Sequence, residues 1–295
     1  MANPLVSICC ITYNHGLYIK QCLDGFLTQK TSFDYEILIH DDASTDNTAN
    51  IIKEYEKIYP NIIKPIYQTE NQYSKGVRPI NKFNFLRAKG KYIAMCEGDD
   101  YWTYSYKLQK QFDFLEQNPE FGGVSTNNRI FYQKENFFED SVFEEEKITF
   151  EDLCSSNKIN SQTALFKKDL VQNLDWMQGL KIGDWALHLM VTSQQPYYRL
   201  ADITTVYRIH SGGVHSLLDE EIKLRRRVEV LLAVNQNFEL SAERQTVLNS
   251  SIAELFKRLL NFKAPDIRTT RKKYIQFGGT YFNKTMIKSF LNEYL

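Results

Sequence analysis

The chain has 295 residues, 43% of them hydrophobic, and its 36 basic and 36 acidic side chains give a formal net charge of zero. This length suits one large domain, or one domain with an appended subdomain. The neutral balance excludes the global positive field that would indicate a nucleic-acid partner. No window approaches the roughly 18 continuous apolar residues of a membrane-spanning helix, and no basic leader with a cleavage site begins the chain. We therefore expect a soluble, cytoplasmic protein.

The cysteine pattern supports the same compartment. Five cysteines make an odd count, without the CxxC spacing of a redox or metal motif. Four of them lie inside apolar runs, which is typical of buried, reduced thiols in a cytosolic protein.

Strand and helix signals alternate through the first 125 residues. Each strand signal is a short apolar run that ends in polar or turn-forming residues, and each helix signal is a set of apolar residues at helical spacing. The predicted strands are 5–11, 35–40, 62–67 and 91–96, and the predicted helices are 19–26, 49–58, 80–89 and 108–115. This alternation predicts a parallel, doubly wound α/β sheet, in which ligands bind beyond the carboxyl ends of the strands.

The pattern changes after residue 129. Residues 134–152 are acidic and poorly periodic, which indicates surface excursions. Residues 159–166 and 197–209 have the composition of further strands, and a helix opens between them at Gly183. From Glu220 onward the apolar residues recur at helical spacing, so we expect a helical C-terminal region.

The most informative segment is the end of the fourth predicted strand, where an apolar run stops at Glu97, Asp99 and Asp100. Carboxylates this close repel one another, and a divalent cation shared with a substrate phosphate would supply the counter-charge. A strand end capped by acidic turn residues is the alternative. Polar clusters at residues 12–14 and 41–42 also follow predicted strands. We therefore expect all three clusters to converge at one edge of the sheet as a binding site.

Three segments together resemble family 2 glycosyltransferases: residues 6–14, residues 36–46 and the block that ends at Asp99-Asp100. The resemblance covers about residues 5–215 and implies the GT-A fold, with a mixed, Rossmann-like sheet. It implies a glycosyltransferase domain over 1–215, with a nucleotide-sugar-binding half (1–128) and an acceptor-binding half (129–215). A helical region over 216–295 would follow.

The resemblance implies a nucleotide site in the first two clusters. Thr12 and Asp42 match positions that contact the base and the ribose of a nucleotide-sugar, and Asp41 lies beside them. Tyr13 and Asn14 belong to the same implied site. The residues alone also fit a loop in which one carboxylate caps the following helix.

The resemblance also implies a metal site for Mn²⁺ or Mg²⁺. The family motif is usually Asp-x-Asp, whereas here Glu97 stands where the first Asp often stands. That departure leaves open whether Asp99 or Asp100 ligates the cation, and whether Glu97 or Asp99 reaches the ribose. A second metal ligand, His210, follows from the similar Arg-x-His segments of the family, although a polar strand end is the alternative.

Further residues are implied around the reacting sugar. Asp184 matches the general base, and Trp185 beside it would stack on a sugar face, whereas the residues alone favour a helix N-cap for Asp184. Arg208 matches a position near the diphosphate, and Arg78 would reach the diphosphate from its loop.

The implied activity is an inverting, metal-dependent transfer of one sugar from a nucleotide-sugar, with a UDP-sugar favoured, to a hydroxyl of a glycan or lipid-linked glycan. Capsule, O-antigen or exopolysaccharide synthesis in bacteria is the expected setting. The Gln-x-x-Arg-Trp motif of processive members is missing, so we expect single addition. A nucleotidyltransferase would need a Gly-rich phosphate loop after the first strand, which the chain lacks. A non-catalytic sugar-binding or scaffold module is the other alternative.

The C-terminal region is basic. Between residues 257 and 288 nine basic residues stand against one acidic residue, interleaved with apolar and aromatic residues. Such a segment fits peripheral contact with an anionic membrane, where each basic residue contributes about 1 kcal/mol. A solvated face of a helical appendage fits equally well.

Overall fold

The computed structural model describes residues 3–213, 218–262 and 267–278. Within these residues, ten strands form one mixed sheet, and helices cover both of its faces. The strands are β1 (Val6–Thr12), β2 (Tyr35–Asp41), β3 (Ile63–Tyr67), β4 (Tyr92–Glu97), β5 (Tyr101–Trp102), β6 (Gly123–Tyr132), β7 (Phe137–Ser141), β8 (Glu146–Ile148), β9 (Leu165–Lys167) and β10 (Tyr197–Ile209). The helices are α1 (Ile19–Leu27), α2 (Thr48–Ile58), α3 (Lys107–Gln117), α4 (Phe150–Ser155), α5 (Gly183–Thr192), α6 (Glu220–Asn237), α7 (Ala242–Leu260) and α8 (Ile267–Gly278).

The first four strands are parallel, as predicted, in the order β3-β2-β1-β4. Alternate residues of β1, β2 and β4 enter two different hydrophobic clusters, because successive side chains point to opposite faces and helices cover both faces. The register pairs Thr12 with Asp41 and Ile11 with Glu97. The polar clusters that follow these three strands therefore meet at one edge, as predicted.

The second half of the sheet differs from the prediction. Beyond β4 the order is β9-β6-β10-β5, and β9 is antiparallel to both of its neighbours. The segment 134–152, which we predicted to be a surface excursion, contains β7, β8 and the start of α4. The predicted strand 159–166 is instead a 3₁₀ turn, Ser161–Thr163, followed by the short strand β9.

Strand β6 was missed because its buried residues are polar. Residues 125–128 are Ser, Thr, Asn and Asn, all buried. Their hydrogen bonds replace the apolar contacts that a sequence pattern can detect: Asn127 bonds the carbonyls of Phe143 and Ala201, and the hydroxyls of Thr126 and Thr204 lie 2.6 Å apart. Buried polar groups with such partners cost little, so a central strand can be polar.

The C-terminal helices belong to the main core. Buried residues of α6 and α7 form one hydrophobic cluster with α4, α5 and one face of the sheet, and Leu231 and Ile252 of these helices are fully buried. All five cysteines are buried and free. None of the helices in the described ranges is long and apolar enough to span a bilayer.

Candidate active site

Three side chains from separate segments face one another at the carboxyl edge of the sheet. His15 lies in the loop between β1 and α1, Asp99 follows β4, and His210 follows β10. The Oδ2 atom of Asp99 is 3.0 Å from Nε2 of His210 and 3.7 Å from Nε2 of His15. One ligand atom of each residue lies within 4.8 Å of the other two. We call this group the His-Asp-His cluster.

In the His-Asp-His cluster, the pKa shifts of Asp99 and His15 favour the forms of these two residues that bind a cation. Burial raises the pKa of Asp99, but the hydrogen bond from His210 and the charges of both histidines outweigh burial and lower the pKa overall. Burial lowers the pKa of His15, against the opposing effect of Asp99. An ionised carboxylate and a neutral imidazole are the states that ligate a metal.

A second carboxylate, Glu97 at the end of β4, lies beside this cluster. Its Oε2 accepts a 2.6 Å hydrogen bond from the hydroxyl of Ser161. Burial, together with the charges of Asp99 and Asp184, raises the pKa of Glu97 to about 7, although the Ser161 bond opposes the shift. Three carboxylates are therefore close enough for their charges to interact.

Arg78 supplies positive charge to this region, and two of its guanidinium nitrogens have no protein partner. Its guanidinium packs directly against Gly183, where an added Cβ would lie 2.4 Å from Nη2. Nε and Nη2 of Arg78 are buried and make no hydrogen bond. Burial lowers the pKa of Arg78, while Tyr73, Asp184 and Glu97 raise it. Unsatisfied buried donors of this kind fit an anionic ligand.

Asp184 lies in the first turn of α5 but does not cap it. The cap residue is Ile182, and no side-chain cap bond is present. The Asp184 carboxylate instead accepts a 3.2 Å hydrogen bond from the amide of Asn157. The N-cap alternative for Asp184 is therefore wrong, and the carboxylate is available to a ligand.

The residues predicted for nucleotide binding divide into two groups. The hydroxyl of Thr12 is buried beneath Gly98 and has no partner, and Tyr13 is 44% exposed. Asp41, whose pKa is raised by burial against a hydrogen bond from Ser44, also lies at this edge. Asp42, in contrast, is occupied: its carboxylate accepts the backbone N–H groups of Gln72 and Tyr73.

Asp42 and Asn14 therefore shape the loops of the site. Besides the two backbone N–H groups of Gln72 and Tyr73, Nε2 of His40 lies 3.2 Å from the Asp42 carboxylate. Asn14 has a left-handed backbone with φ of 55°, and its side chain accepts the N–H of Thr45, which ties the loop after β1 to the loop after β2. Asp42 is therefore already paired, whereas Asn14 is exposed and its direct contact with a nucleotide stays a prediction.

Two further side chains do not lie where the predictions assumed. Trp185 is 1% exposed and its indole N–H donates to the carbonyl of Leu153, so its ring lies in the core and cannot stack on a sugar. Asp100 is outside the His-Asp-His cluster because its carboxylate turns inward to accept the backbone N–H of Arg208 at 2.7 Å.

Arg208 is a structural link rather than a free cation. Each nitrogen of its guanidinium already donates to a protein oxygen, on Asp99, Gln133 and Gln21. Its side chain also lies over the rings of Tyr18 and Tyr101. It fixes the backbone of the acidic loop through three of its five N–H groups, and contact of the other two with a diphosphate stays a prediction.

Two site residues were missed in the sequence. His15 follows the polar cluster 12–14 directly, and that position was its only signal. Ser161 fell inside a segment that we predicted to be a strand, and nothing in its spacing indicates a contact with Glu97 64 residues earlier.

Comparisons with known proteins identify the family of the chain. The profile of the family described as Glycosyl transferase family 2 matches residues 7–174, more than half of the chain. An uncharacterized protein of Mycobacterium tuberculosis is 34% identical over 223 residues, which are 74% of this chain and 63% of that protein. The UDP-Glc:alpha-D-GlcNAc-diphosphoundecaprenol beta-1,3-glucosyltransferase WfaP of Escherichia coli is 30% identical over 71% of this chain and 79% of its own length.

Solved structures show the same fold. S. aureus TarS 1–349 in complex with UDP-GlcNAc superposes with a TM-score of 0.65 at 18% identity, over 93% of this chain and 80% of TarS. The mannosyltransferase PcManGT of Pyrobaculum calidifontis, in complex with GDP-Man and Mn²⁺, superposes with a TM-score of 0.63 at 15% identity. The superposition covers 99% of this chain and 81% of PcManGT. The predicted GT-A fold with a helical C-terminal region is confirmed. The profile match and the relatives show that the chain belongs to glycosyl transferase family 2.

Proposed function

We propose that the protein is an inverting, divalent-metal-dependent glycosyltransferase that moves one sugar from a nucleotide-sugar to a hydroxyl of a bacterial surface glycan. A single observation carries the proposal. Glu97 and Asp184, from opposite halves of the domain, both act on the charge of Arg78, whose Nε and Nη2 lack partners, and Asp99 of the His-Asp-His cluster acts on Glu97. The relatives named above as acting on UDP-Glc and binding UDP-GlcNAc favour a UDP-sugar donor.

The nucleotide would bind across the ends of β1 and β2. Tyr13 is exposed there and would contact the base, whereas Thr12 and Asp41 are buried and would contact the nucleotide through the unpartnered Thr12 hydroxyl and the Asp41 carboxylate, which also accepts from Ser44. A carboxylate there can accept from the uracil imide N–H or from ribose hydroxyls. Asp42 and Asn14 would act through the loops that they hold.

The His-Asp-His cluster fits a divalent cation, because it joins one carboxylate oxygen and two imidazole nitrogens at the expected edge of the sheet. Asp99 and His210 are the ligands we assign first, with Mn²⁺ or Mg²⁺ as the ion. When bound, the cation would offset the negative charge of the diphosphate, an effect typically worth several kcal/mol. Arg78 would donate to the same anionic group through the nitrogens that lack partners.

Asp184 would act as the general base. The acceptor hydroxyl oxygen attacks the anomeric carbon, the bond from that carbon to the diphosphate oxygen breaks, and the hydroxyl proton passes to Asp184. One displacement inverts the configuration. Asn157 orients the carboxylate through the 3.2 Å hydrogen bond, and Glu97 would contact the ribose or the donor sugar.

The acceptor and the location of the protein remain proposals. A lipid-linked glycan acceptor is favoured by the name of the E. coli relative. Of the basic C-terminal residues, Lys263, Lys284 and Lys288 lie outside the described residues. Leu259 is buried, and Tyr274 and Phe277 pack against the core, so these apolar residues are not offered to a membrane. Among the described residues, peripheral membrane contact in the cytoplasm would depend on the charged residues and on Ile275, which is 39% exposed.

The first test is calorimetric titration of UDP, dTDP and GDP, each with Mn²⁺ and with EDTA. We expect UDP to bind only with metal, because the diphosphate adds charge to an already acidic site. Binding of dTDP or GDP instead would change the donor class. Metal-independent binding of UDP, or no binding of any nucleotide, would contradict the proposal.

The second test is the variant Asp184→Asn. It keeps the size of the side chain and the contact with Asn157 but cannot accept the proton, so transfer should fall by on the order of 10²–10⁴-fold. UDP affinity measured by calorimetry should stay within about twofold, because we assign Asp184 to the acceptor hydroxyl and not to the nucleotide. Normal turnover by this variant would remove Asp184 from the role of base.

A further inference from the structure

We propose that His15 is a third protein ligand of the cation, so that the site holds two imidazoles and one carboxylate and prefers Mn²⁺ to Mg²⁺. This inference rests on the metal site of the proposed function. Neither the family motif nor the sequence pattern assigns a role to His15. The evidence is the geometry of the His-Asp-His cluster.

One separation within the cluster is that of two ligands of one ion, and the separation to His15 exceeds the range for such ligands by about 0.2 Å, so a small rotation of the ring would bring His15 into it. Two donors bonded to a metal at about 2.1 Å lie roughly 3.0–3.5 Å apart when the angle at the metal is between a right angle and tetrahedral. Asp99 Oδ2 lies 3.0 Å from His210 Nε2 and 3.7 Å from His15 Nε2. The two imidazole rings meet edge to face with centroids 6.2 Å apart, so both nitrogens can point at the carboxylate without a clash.

His15 is held in place by its own loop. The carbonyl of His15 accepts the N–H groups of Tyr18 and Ile19, which starts α1 directly after it. On the next residue, the N–H of Gly16 donates to the carboxylate of Asp46 at 2.8 Å. The side chain is 16% exposed, and its Nδ1 atom is buried without a partner, so no protein acceptor explains the orientation of the ring. A residue fixed in this way is pre-organised for a ligand on Nε2.

Binding has a cost that the proposal must include. The N–H of Gly212 points at Nδ1 of His210 from 3.3 Å. Ligation through Nε2 places the ring proton on Nδ1, so this weak contact would be lost. A contact at 3.3 Å is near the long limit for a hydrogen bond, and its loss is small beside the gain of a metal bond.

The donor set determines the preference among ions. Mg²⁺ demands oxygen ligands in near-ideal octahedral geometry, whereas imidazole nitrogen suits later divalent ions. Two histidines and one carboxylate leave the remaining coordination positions open for substrate oxygens and water. The three ligands come from the loops after β1 and β4 and from the end of β10, so a bound ion would also join the two halves of the domain.

The experiment measures binding of Mn²⁺ alone by electron paramagnetic resonance, with Mg²⁺ as competitor, in the full chain. For His15→Gln we expect Mn²⁺ affinity to fall at least tenfold, because one of three protein ligands is lost. Leu17→Ala is the matched control: Leu17 is 89% exposed in the same loop and should leave Mn²⁺ affinity unchanged. Melting temperatures without metal establish that each variant is folded.

A second variant tests the preference directly. His15→Asp replaces a nitrogen donor with oxygen, so the ratio of Mn²⁺ to Mg²⁺ affinity should fall below that of the native chain. Unchanged Mn²⁺ affinity in His15→Gln together with an unchanged ratio in His15→Asp would overturn the inference, and His15 would then only pack against Asp99. If UDP still binds with either ion in that case, the proposed function stands; if UDP binds with neither, the proposed function fails as well.

Discussion

At the scale of single residues, adjacent positions with the same side chain have different environments. Asp99 faces two histidines at the open edge of the sheet, whereas Asp100 turns inward and accepts the backbone N–H of Arg208. Burial and the charges of Asp99 and Glu97 raise the pKa of Asp100, while the hydrogen bond from Arg208 opposes the shift. The two carboxylates therefore have separate environments: Asp99 lies between two histidines, and Asp100 bonds the backbone.

The pair Asp99→Asn and Asp100→Asn tests this division. Asp99→Asn removes the anionic donor of the His-Asp-His cluster, so Mn²⁺-dependent UDP affinity should fall at least tenfold. Asp100→Asn keeps an oxygen that accepts the Arg208 N–H, so UDP affinity should change less than threefold. Calorimetry with Mn²⁺ measures both variants. The opposite ranking would place Asp100 in the metal site.

At the scale of elements, helix α5 links the site to the core. Its first turn carries Asp184, and its middle carries His188, which is fully buried. Nδ1 of His188 lies 3.0 Å from the hydroxyl of Tyr197 on β10, and its Nε2 has no partner. Protonation would therefore bury an imidazolium with one N–H unsatisfied, which the fold disfavours.

The pH dependence of stability tests this pairing. Burial lowers the pKa of His188 from 6.5 to about 4. Between these values the unfolded state binds more protons, so the contribution of His188 is fully present above about pH 6.5 and is lost as the pH falls toward 4. The shift corresponds to about 3 kcal/mol. Urea unfolding at pH 7 and pH 4.5 should show most of this loss in the native chain.

The double variant His188→Leu/Tyr197→Phe lacks the titrating group and the hydroxyl that bonds it. Between pH 7 and pH 4.5 its free energy of unfolding should fall less than that of the native chain, and the difference between the two falls should be up to about 3 kcal/mol. Tyr197→Phe alone is the control, since it keeps His188 and should retain the acid loss. Equal acid sensitivity in the double variant and the native chain would mean that other groups cause it.

At the scale of the whole molecule, the C-terminal helices complete the core of the glycosyltransferase domain. Leu231 of α6 is fully buried in the same cluster as Trp185 and Phe150. The sequence pattern changes from mixed strands and helices to helices near residue 216, but the hydrophobic core includes residues from both sides of that position. The C-terminal helices and the rest of the domain should therefore unfold together.

The variant Leu231→Ala measures this coupling. It should lower the free energy of unfolding by about 2–5 kcal/mol, because it leaves a cavity in the core. Ile222→Ala on the same helix is the control: Ile222 is 41% exposed, and its loss should change stability by about 0.5 kcal/mol or less. Both variants should unfold in one transition by circular dichroism. Two transitions, with only one shifted by Leu231→Ala, would show that the helices fold separately.

The sequence by itself determined the first half of the sheet and the location of the site. Apolar runs buried on both faces have an unmistakable pattern, and the polar residues that end β1, β2 and β4 must meet once those strands pair in parallel. The family of the chain also followed from these motifs. Strand β6 was not detectable because its buried residues are stabilised by hydrogen bonds with residues far along the chain.

Only the tertiary structure decided what each polar side chain contacts. Sequence places Asp41 beside Asp42 and Asp99 beside Asp100, but one of each pair is occupied by backbone N–H groups from distant loops. The environment of Trp185, whose ring faces the core, also depends on the tertiary structure. So does that of His15, whose partners Asp99 and His210 lie 84 and 195 residues further along the chain. Contacts of this kind depend on where other segments pass, and that information is distributed over the whole fold.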